Sequence, residues 1–181
     1  MAHGVQTHAR MGTAKAKTET NVLELLTSQH AEVDALIGKI EKGKNAKASF
    51  QEMADKLAAH ATIEEKIFYP AVMSKKLDDL LHESVEEHLE IKRVLADMLR
   101  LDVGSPEFMA KLTVLKENLT HHAHEEEEDK MFPMLRKSMS EDELAAIGNQ
   151  CLVMFEELLP QHPSRNVPNE IKKAAELPQP R

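Results

Sequence analysis

A histidine followed four residues later by a glutamate, and then by an aromatic residue and a proline, occurs twice in this chain. The first copy, HATIEEKIFYP, runs from His60 to Pro70, and the second, HHAHEEEEDKMFP, from His121 to Pro133. Because residues four apart lie on one face of an α-helix, such a histidine and glutamate can reach the same ion. Inward-facing imidazoles and carboxylates hold paired iron or manganese ions in helical bundles. The repeat therefore predicts a paired metal site built by a duplicated helical hairpin.

The helices that must position these residues are visible as apolar stripes with a spacing of three and four residues. Four such stripes are separated by the KGKN stretch around Gly43, by MSKK after Pro70, and by DVGSPE around Gly104. Short connections between amphipathic helices favour an antiparallel up-down bundle. Single histidines, His30 and His88, lie on the first and third stripes. We therefore expect an all-α fold, with both of these side chains facing the interior.

The second copy allows three registers, since His121, His122 and His124 are each followed by a glutamate four residues on. The residues ten, seven and three positions before His60 are apolar, and the same offsets before His122 give three leucines: Leu112, Leu115 and Leu119. This pattern favours His122 as the inward-facing histidine, paired with Glu126. The proline, however, lies ten residues after His60 and eleven after His122. The extra residue indicates a bulged turn in the acidic run, so Glu127 and the pair His124 and Glu128 remain alternatives.

The candidate metal ligands thus have one property in common, an inward position on an apolar stripe. They are His30, His60, Glu64, His88, His122 and Glu126. A buried glutamate without a cation costs several kcal/mol unless it is protonated or paired, and the aligned stripes offer no lysine or arginine. Tyr69, next to Pro70 near a helix end, is expected to be a half-exposed capping residue rather than part of the site.

Beyond the bundle, Ser140 with Glu143 three residues later predicts a capping box that starts a fifth helix, lying across the bundle. We expect a flexible leader at 1–19, the four-helix bundle at 20–137 and the additional C-terminal helix at 138–159. The proline-rich tail at 160–181 has little apolar content and is expected to be extended or disordered.

Composition narrows the function classes. The net charge of -8 and the pI near 5.7 argue against a nucleic-acid partner. No run of about 18 apolar residues is present, so we expect no membrane span. A single cysteine, Cys151, excludes an internal disulfide framework and fits a reducing cytoplasm.

The order of His30, His60 with Glu64 and IFYP, EEHLEIKRVL with His88, and HHAHEEEEDKMFP resembles the hemerythrin-like HHE cation-binding domain family over residues 20 to 137. The resemblance implies a four-helix bundle with a non-haem diiron centre, histidines as terminal ligands and carboxylates as bridges. Its terminal ligands here would be His30, His60, His88 and His122, and its bridges Glu64 and Glu126.

The chain departs from the oxygen carriers of that family in two ways. Ser84 stands where they have a second histidine, and a glutamate stands where they use a bridging aspartate. Fewer histidines imply a more open coordination sphere, suited to dioxygen, peroxide or nitric oxide. The implied function is small-molecule binding with a role in oxidative stress. A catalase-like enzyme that degrades peroxide and an iron storage or sensing module are the alternatives, with zinc or manganese as other possible metals. Both a monomer and a homodimer are compatible with the sequence.

Overall fold

The computed structural model describes residues 20–73 and 76–178, so the expected leader at 1–19 lies outside the described residues. This part of the chain is built from helices. The α-helices are α1 (Val22–Glu41), α2 (Ala46–Ile63), α3 (Tyr69–Val72), α4 (Asp78–Met98), α5 (Pro106–Leu119), α6 (Phe132–Ser138) and α7 (Glu141–Leu158). Two π-helical segments, π1 (Glu64–Phe68) and π2 (Thr120–Met131), join α2 to α3 and α5 to α6.

The predicted all-α bundle is confirmed. Helix α1 packs against α2, and α4 packs against α5, so that two hairpins form the bundle. The rods α2–π1–α3 and α5–π2–α6 each act as one long helix, which makes four main helices around one interior. Within the described residues, none of the helices has the length and apolar character needed to cross a membrane.

Side chains at the helix starts explain where these helices begin. The Asn21 side chain accepts a hydrogen bond from the backbone N–H of Leu23 at the start of α1. Ser105 does the same for Phe108 at the start of α5. The expected capping box of Ser140 is present at the start of α7. Each cap satisfies backbone N–H groups that have no partner within the helix.

The prolines of the two repeats do not end their helices, in contrast to our expectation. Pro70 and Pro133 each occupy the second residue of the α-helix that follows a π segment. A proline in a regular α-helix would meet the carbonyl four residues earlier and would lack its hydrogen bond. The wider π turn displaces that carbonyl, so each rod continues for a further turn or two. The change of register that the extra residue predicted is therefore present, as π2.

The apolar interior is divided into two clusters by a layer of polar side chains. One cluster surrounds Leu26, Phe68 and Phe132, and the other surrounds Leu57 and Phe108. Along each main helix, the histidine lies between the residues that belong to one cluster and those that belong to the other. The polar layer is thus closed off by hydrocarbon from above and below, which lowers the local dielectric constant and strengthens its electrostatic interactions.

Helix α7, the additional C-terminal helix expected from the sequence, packs on α1 and on π1. The close approach occurs at Gly148. A Cβ atom at this position would lie 1.8 Å from the carbonyl oxygen of Thr20 and 2.7 Å from the backbone nitrogen of Val22. Only a residue without a side chain fits here, because both neighbours are backbone atoms.

The proline-rich segment after α7 is more structured than expected. Pro163–Asn169 forms a 3-10 helix instead of an extended chain, and Val167 is fully buried in the second apolar cluster. Ser164 donates hydrogen bonds from its Oγ and its backbone nitrogen to Asp55 of α2, at 2.6 and 3.2 Å. One well-placed valine and one carboxylate therefore dock a segment whose overall composition predicted disorder.

We expect Gly148→Ala to lower the free energy of unfolding by about 1–3 kcal/mol or more, because α7 must shift to admit a methyl group. Gly38→Ala is the matched control, since nothing lies within 4 Å of its added Cβ. Within α1 that change should stabilise the protein by about 0.5–1 kcal/mol. Urea unfolding of both variants checks the pair, and equal effects would contradict the packing argument.

Asp55 should make the docking of the C-terminal segment sensitive to acid. Burial acts to raise the pKa of Asp55, but hydrogen bonds from Ser164, His162 and Gln51 outweigh it and lower the pKa below its ordinary value of 3.8. A lowered folded-state pKa means that the stabilisation is fully present above the unfolded-state pKa and is lost as the pH falls through the folded-state pKa. We expect Asp55→Asn to cost about 1.5–3 kcal/mol at pH 7.

The difference between Asp55→Asn and the unchanged protein should shrink as the pH falls from 5 to 3. Urea unfolding at several pH values measures it. A difference that stays constant over this range would show that the charge of Asp55 does not stabilise the fold.

Candidate metal centre

The four histidines selected from the sequence converge in the polar layer. His30 comes from α1, His60 from α2, His88 from α4 and His122 from π2, and all four are buried. Their Nε2 atoms point inward and form two close pairs. The distance between Nε2 of His30 and Nε2 of His60 is 3.1 Å, and that between His88 and His122 is 3.0 Å. The arrangement places one pair on each side of a central carboxylate.

That central carboxylate is Glu64. Its Oε1 lies 3.1 Å from Nε2 of His60, and its Oε2 lies 3.2 Å from Nε2 of His88. Each oxygen thus belongs to a different histidine pair. Both oxygens are buried, and neither is in hydrogen-bonding geometry with those nitrogens despite the short distances. A carboxylate in this position is suited to bridge two cations.

The first ligand set is completed by Glu127. Its Oε2 lies 3.3 Å from Nε2 of His30 and has no hydrogen-bond partner, although it is buried. Two groups of potential ligand atoms result, each lying within 4.8 Å of one another. We call them the first position (His30, His60, Glu64 and Glu127) and the second position (Glu64, His88 and His122).

The structure does not bring the expected ligand Glu126 into this cluster. Its side chain is buried, but its carboxylate forms an ion pair with Lys130 and lies 3.8 Å from Nε2 of His121 instead of facing the inward histidines. The reason is the π-helical backbone, in which residues five apart rather than four apart share a face. Glu127, five residues after His122, therefore lies on the same face of π2 as His122. The eleven-residue offset to Pro133 was the sequence signal for this register.

Behind each histidine, an oxygen atom accepts a hydrogen bond from Nδ1. The acceptors are Glu128 for His30 at 2.6 Å, Gln29 for His60 at 2.7 Å, Glu65 for His88 at 3.0 Å and Glu87 for His122 at 2.8 Å. Carboxylate and amide oxygens can only accept, so each Nδ1 carries a proton. Such partners fix the tautomer of metal-binding histidines and make the ring more basic. The inward Nε2 atoms are thereby the ones that can bind either a proton or a metal ion.

The spacing of these atoms fits a cation. Two ligand atoms about 2.1 Å from one ion and at right angles to each other are about 3.0 Å apart. The pairs in the first and second positions are separated by 3.0–3.3 Å. Lone pairs of two neutral acceptors repel each other at this distance unless a proton or a metal ion lies between them. The donor set, imidazole nitrogen with carboxylate oxygen, suits iron, zinc and manganese.

The electrostatics of the cluster favour positive charge. Burial alone would lower the pKa of His30, but Glu127, Glu64 and Glu128 raise it to about 9. The pKa of His88 is likewise raised to about 9, because Glu64 and Glu65 outweigh burial. Burial opposes ionisation of Glu64 as well, yet His60 and His88 hold its pKa well below the usual range. In the described part of the chain, no lysine or arginine forms an ion pair with Glu64 or Glu127.

Tyr69 is part of the cluster, whereas the sequence suggested a half-exposed cap. It is fully buried, and its hydroxyl donates a hydrogen bond to Oε1 of Glu127 at 3.0 Å. The hydroxyl also lies 3.3 Å from Nε2 of His88. Burial and the nearby carboxylates Glu127 and Glu64 raise the pKa of Tyr69 well above its ordinary value, so the phenol keeps its proton. Sequence reasoning missed it because an aromatic residue beside a proline usually marks a helix end.

A small cavity adjoins the histidines. Its volume is ≈ 20 Å³, and about 10–15 Å³ is needed to hold one water molecule. Its wall includes the four inward histidines and a set of apolar side chains: Val33, Leu57, Ala61, Ile91, Leu119 and Ala123. Gln29 also lines it, and the amide nitrogen of Gln29 is buried without a hydrogen-bond partner. The cavity thus has room for one or two small molecules beside the ligand atoms.

A four-helix bundle in which two pairs of inward histidines meet around buried carboxylates has the architecture of a cation-binding protein. The model of the hemerythrin HHE cation-binding domain family matches residues 21–135 of this chain. The chain therefore belongs to the hemerythrin HHE cation-binding domain family, and the resemblance seen in the sequence is confirmed.

Two similar proteins illustrate the range of the family's relatives. The chain is similar to the crystal structure of a hemerythrin HHE cation-binding domain-containing protein from Mycobacterium kansasii, with a TM-score of 0.68 and 25% sequence identity. That match covers 78% of this chain and 88% of the other. A protein of Nostoc sp. named DNA nickase is 25% identical over 130 residues, which cover 70% of this chain but only 37% of that longer protein.

We expect Glu127→Gln to weaken cation binding at the first position by more than about 100-fold, since changes behind a ligand already cost 10–100-fold. Glu126→Gln is the matched control, one residue away in the same helix, and should change the affinity much less. Competition with a coloured chelator measures both affinities. A larger loss in Glu126→Gln than in Glu127→Gln would restore the assignment made from the sequence.

Proposed function

We propose that this protein holds two iron ions in the first and second positions and binds dioxygen or a related small molecule, such as nitric oxide or peroxide, beside them. The ligands would be His30, His60, Glu64 and Glu127 for one ion, and Glu64, His88 and His122 for the other. The observation that carries the proposal is the convergence of four inward-facing Nε2 atoms around one buried carboxylate, next to a small apolar cavity.

The cavity supports the class of ligand. Its size fits a molecule of two or a few atoms. Its wall is mostly hydrocarbon, which favours an uncharged molecule over an ion because there is little to replace the hydration shell of an ion. The iron pair would supply open coordination positions and the electrons that dioxygen, nitric oxide or peroxide can accept.

The residues around the cavity have separable roles. Gln29 holds the ring of His60 through Nδ1, and its free amide nitrogen is a hydrogen-bond donor for a small molecule in the cavity. The apolar residues on the side of the second cluster limit the entry of water. Asp34 and His124, joined by a 2.9 Å contact, form the partly exposed part of the cavity wall.

Removal of peroxide is a second candidate function, and Tyr69 is the observation that favours it. Its hydroxyl is a protonated group within hydrogen-bond distance of Glu127 and His88. Cleavage of a peroxide would leave negative charge on the departing oxygen. The protonated phenol would stabilise that charge by donating a hydrogen bond, and solvent would supply the protons that complete water.

The activity in the name of the Nostoc relative is not expected here, because a net charge of -8 disfavours contact with a phosphate backbone.

The test uses the iron-loaded protein, reduced without air and then mixed with dioxygen, nitric oxide or peroxide while its optical spectrum is followed. We expect a spectral change with dioxygen or nitric oxide that is absent in His60→Ala. Ala61→Leu, which fills the cavity, should slow the change by roughly tenfold or more, the scale of one surplus methylene in a closed apolar pocket. Ala110→Leu makes the same change on the exposed face of α5 and should leave the rate unaltered.

The alternative outcomes separate the candidate functions. Rapid gas evolution from peroxide, lost in His60→Ala, would assign the catalase-like function instead of reversible binding. Zinc as the only bound metal after expression with ample iron would contradict both functions. An unchanged rate in Ala61→Leu would show that small molecules do not reach the ions through this cavity.

A further inference from the structure

The C-terminal segment formed by residues 162–171 is attached to the bundle at both of its ends. At the first end, Ser164 and His162 contact the carboxylate of Asp55 on α2. At the second end, Nε of Arg93 on α4 donates a hydrogen bond to the carbonyl oxygen of Ile171 at 3.2 Å. Between these two attachments, Val167 is buried in the apolar interior. The backbone of the segment is thus held in one place across α2 and α4.

This docking places Glu170 beside a buried cation. Oε2 of Glu170 lies 3.1 Å from Nζ of Lys92, and only 8 % of the Lys92 side chain is exposed. The same Nζ donates hydrogen bonds to both oxygens of Glu65, at 2.8 and 2.9 Å. Lys92 is therefore shared between two carboxylates, one from π1 and one from the C-terminal segment. Lys92 and Glu65 are largely buried, whereas 36% of the Glu170 side chain is exposed. The pair with Glu65 is therefore the stronger of the two, because solvent weakens an exposed ion pair.

Glu65 connects this pair to the metal centre. The oxygen of Glu65 that contacts Lys92 at 2.8 Å also accepts the hydrogen bond from Nδ1 of His88 at 3.0 Å. Lys92 lies one helical turn after His88 on α4, so Glu65 fills the space between the two side chains. An unbroken series of contacts then runs from Glu170 through Lys92 and Glu65 to His88.

The support of His88 extends beyond the part of the chain that matches the family model. The acceptors behind all four histidines, Glu65 included, lie within the matched residues 21–135. Glu170 lies outside those residues. The ion pair between Glu170 and Lys92 is therefore formed by a residue outside the part of the chain that matches the family model.

We propose that Glu170 is a positioning residue of the metal centre: through Lys92 it fixes the carboxylate of Glu65, which holds His88 with Nε2 toward the second position. The inference rests on the proposed role of His88 as a ligand. Without the charge of Glu170, Lys92 would draw more strongly on Glu65, and Glu65 would be a weaker and less fixed acceptor for His88. A less basic ring in a less fixed orientation binds a cation less tightly.

The experiment measures Co²⁺ binding to the full chain by chelator competition, together with the visible absorption spectrum of bound Co²⁺, which reports the ligand geometry. We expect Glu65→Gln to weaken binding at the second position by about 10–100-fold. Glu170→Gln should weaken it by about two- to tenfold, the lower part of the range for residues in one ion-pair network, and should alter the spectrum. In the Glu65→Gln background, Glu170→Gln should have no further effect.

Glu176→Gln is the matched control, because Glu176 lies in the same C-terminal region and pairs with Lys173 at the surface. It should leave both affinity and spectrum unchanged. Thermal unfolding without added cation identifies any variant whose fold, rather than whose metal site, is affected.

Three outcomes would contradict the inference, and they differ in what they leave standing. Unchanged affinity and spectrum in Glu170→Gln would overturn it while the metal centre remains. An equal loss in the presence and absence of Glu65 would show that Glu170 acts on stability and not through His88. If His88→Ala bound Co²⁺ as the unchanged protein does, the proposed ligand set itself would be wrong.

Discussion

The structure depends on the burial of several imidazole nitrogens and carboxylate oxygens at one level of the bundle. Four imidazole nitrogens and the carboxylates of Glu64 and Glu127 meet there, and each of these groups is an acceptor unless a proton is bound to it. Bringing such groups out of water costs several kcal/mol unless positive charge is present. The two apolar clusters make the enclosure possible because they hold the layer from both sides. A cation in this layer turns repulsion between the helices into attraction.

The hydrogen-bond acceptors behind the histidines differ between the first and the second position. In the second position both rings have carboxylate partners, from Glu65 and Glu87, whereas in the first position the ring of His60 has the neutral amide of Gln29. A carboxylate makes a ring more electron-rich than an amide does. The first position, which has one more candidate ligand, therefore contains the less electron-donating histidine. The unpartnered amide nitrogen of Gln29 lines the cavity, so this inequality is located where a small molecule has room to bind.

Periodicity was sufficient to find what is regular in the molecule and failed where the backbone changes its period. His30, His60 and His88 were identified because α1, α2 and α4 are regular helices in which apolar neighbours mark the inner face, and His122 was identified from the leucines of α5 that precede it. Glu126 was preferred to Glu127 because a spacing of four was assumed across a segment that is π-helical. Val167 escaped notice since a single apolar residue among prolines has no period at all. Tyr69 was misplaced for a related reason, because Pro70 reads as the end of a helix unless the π turn before it is known.

The two π segments carry candidate metal ligands, so cation binding at this site would be coupled to folding. A π turn is a rare geometry with poorer packing than the α-helix, and here it holds Glu64 in one hairpin and Glu127 in the other. A cation that contacts both therefore stabilises the less stable part of each rod and joins the two hairpins at the same time. Binding free energy then contributes directly to the free energy of folding. A change in the width of a π turn would therefore move its carboxylate and alter the affinity for the ion. In turn, a bound ion would stabilise the turn.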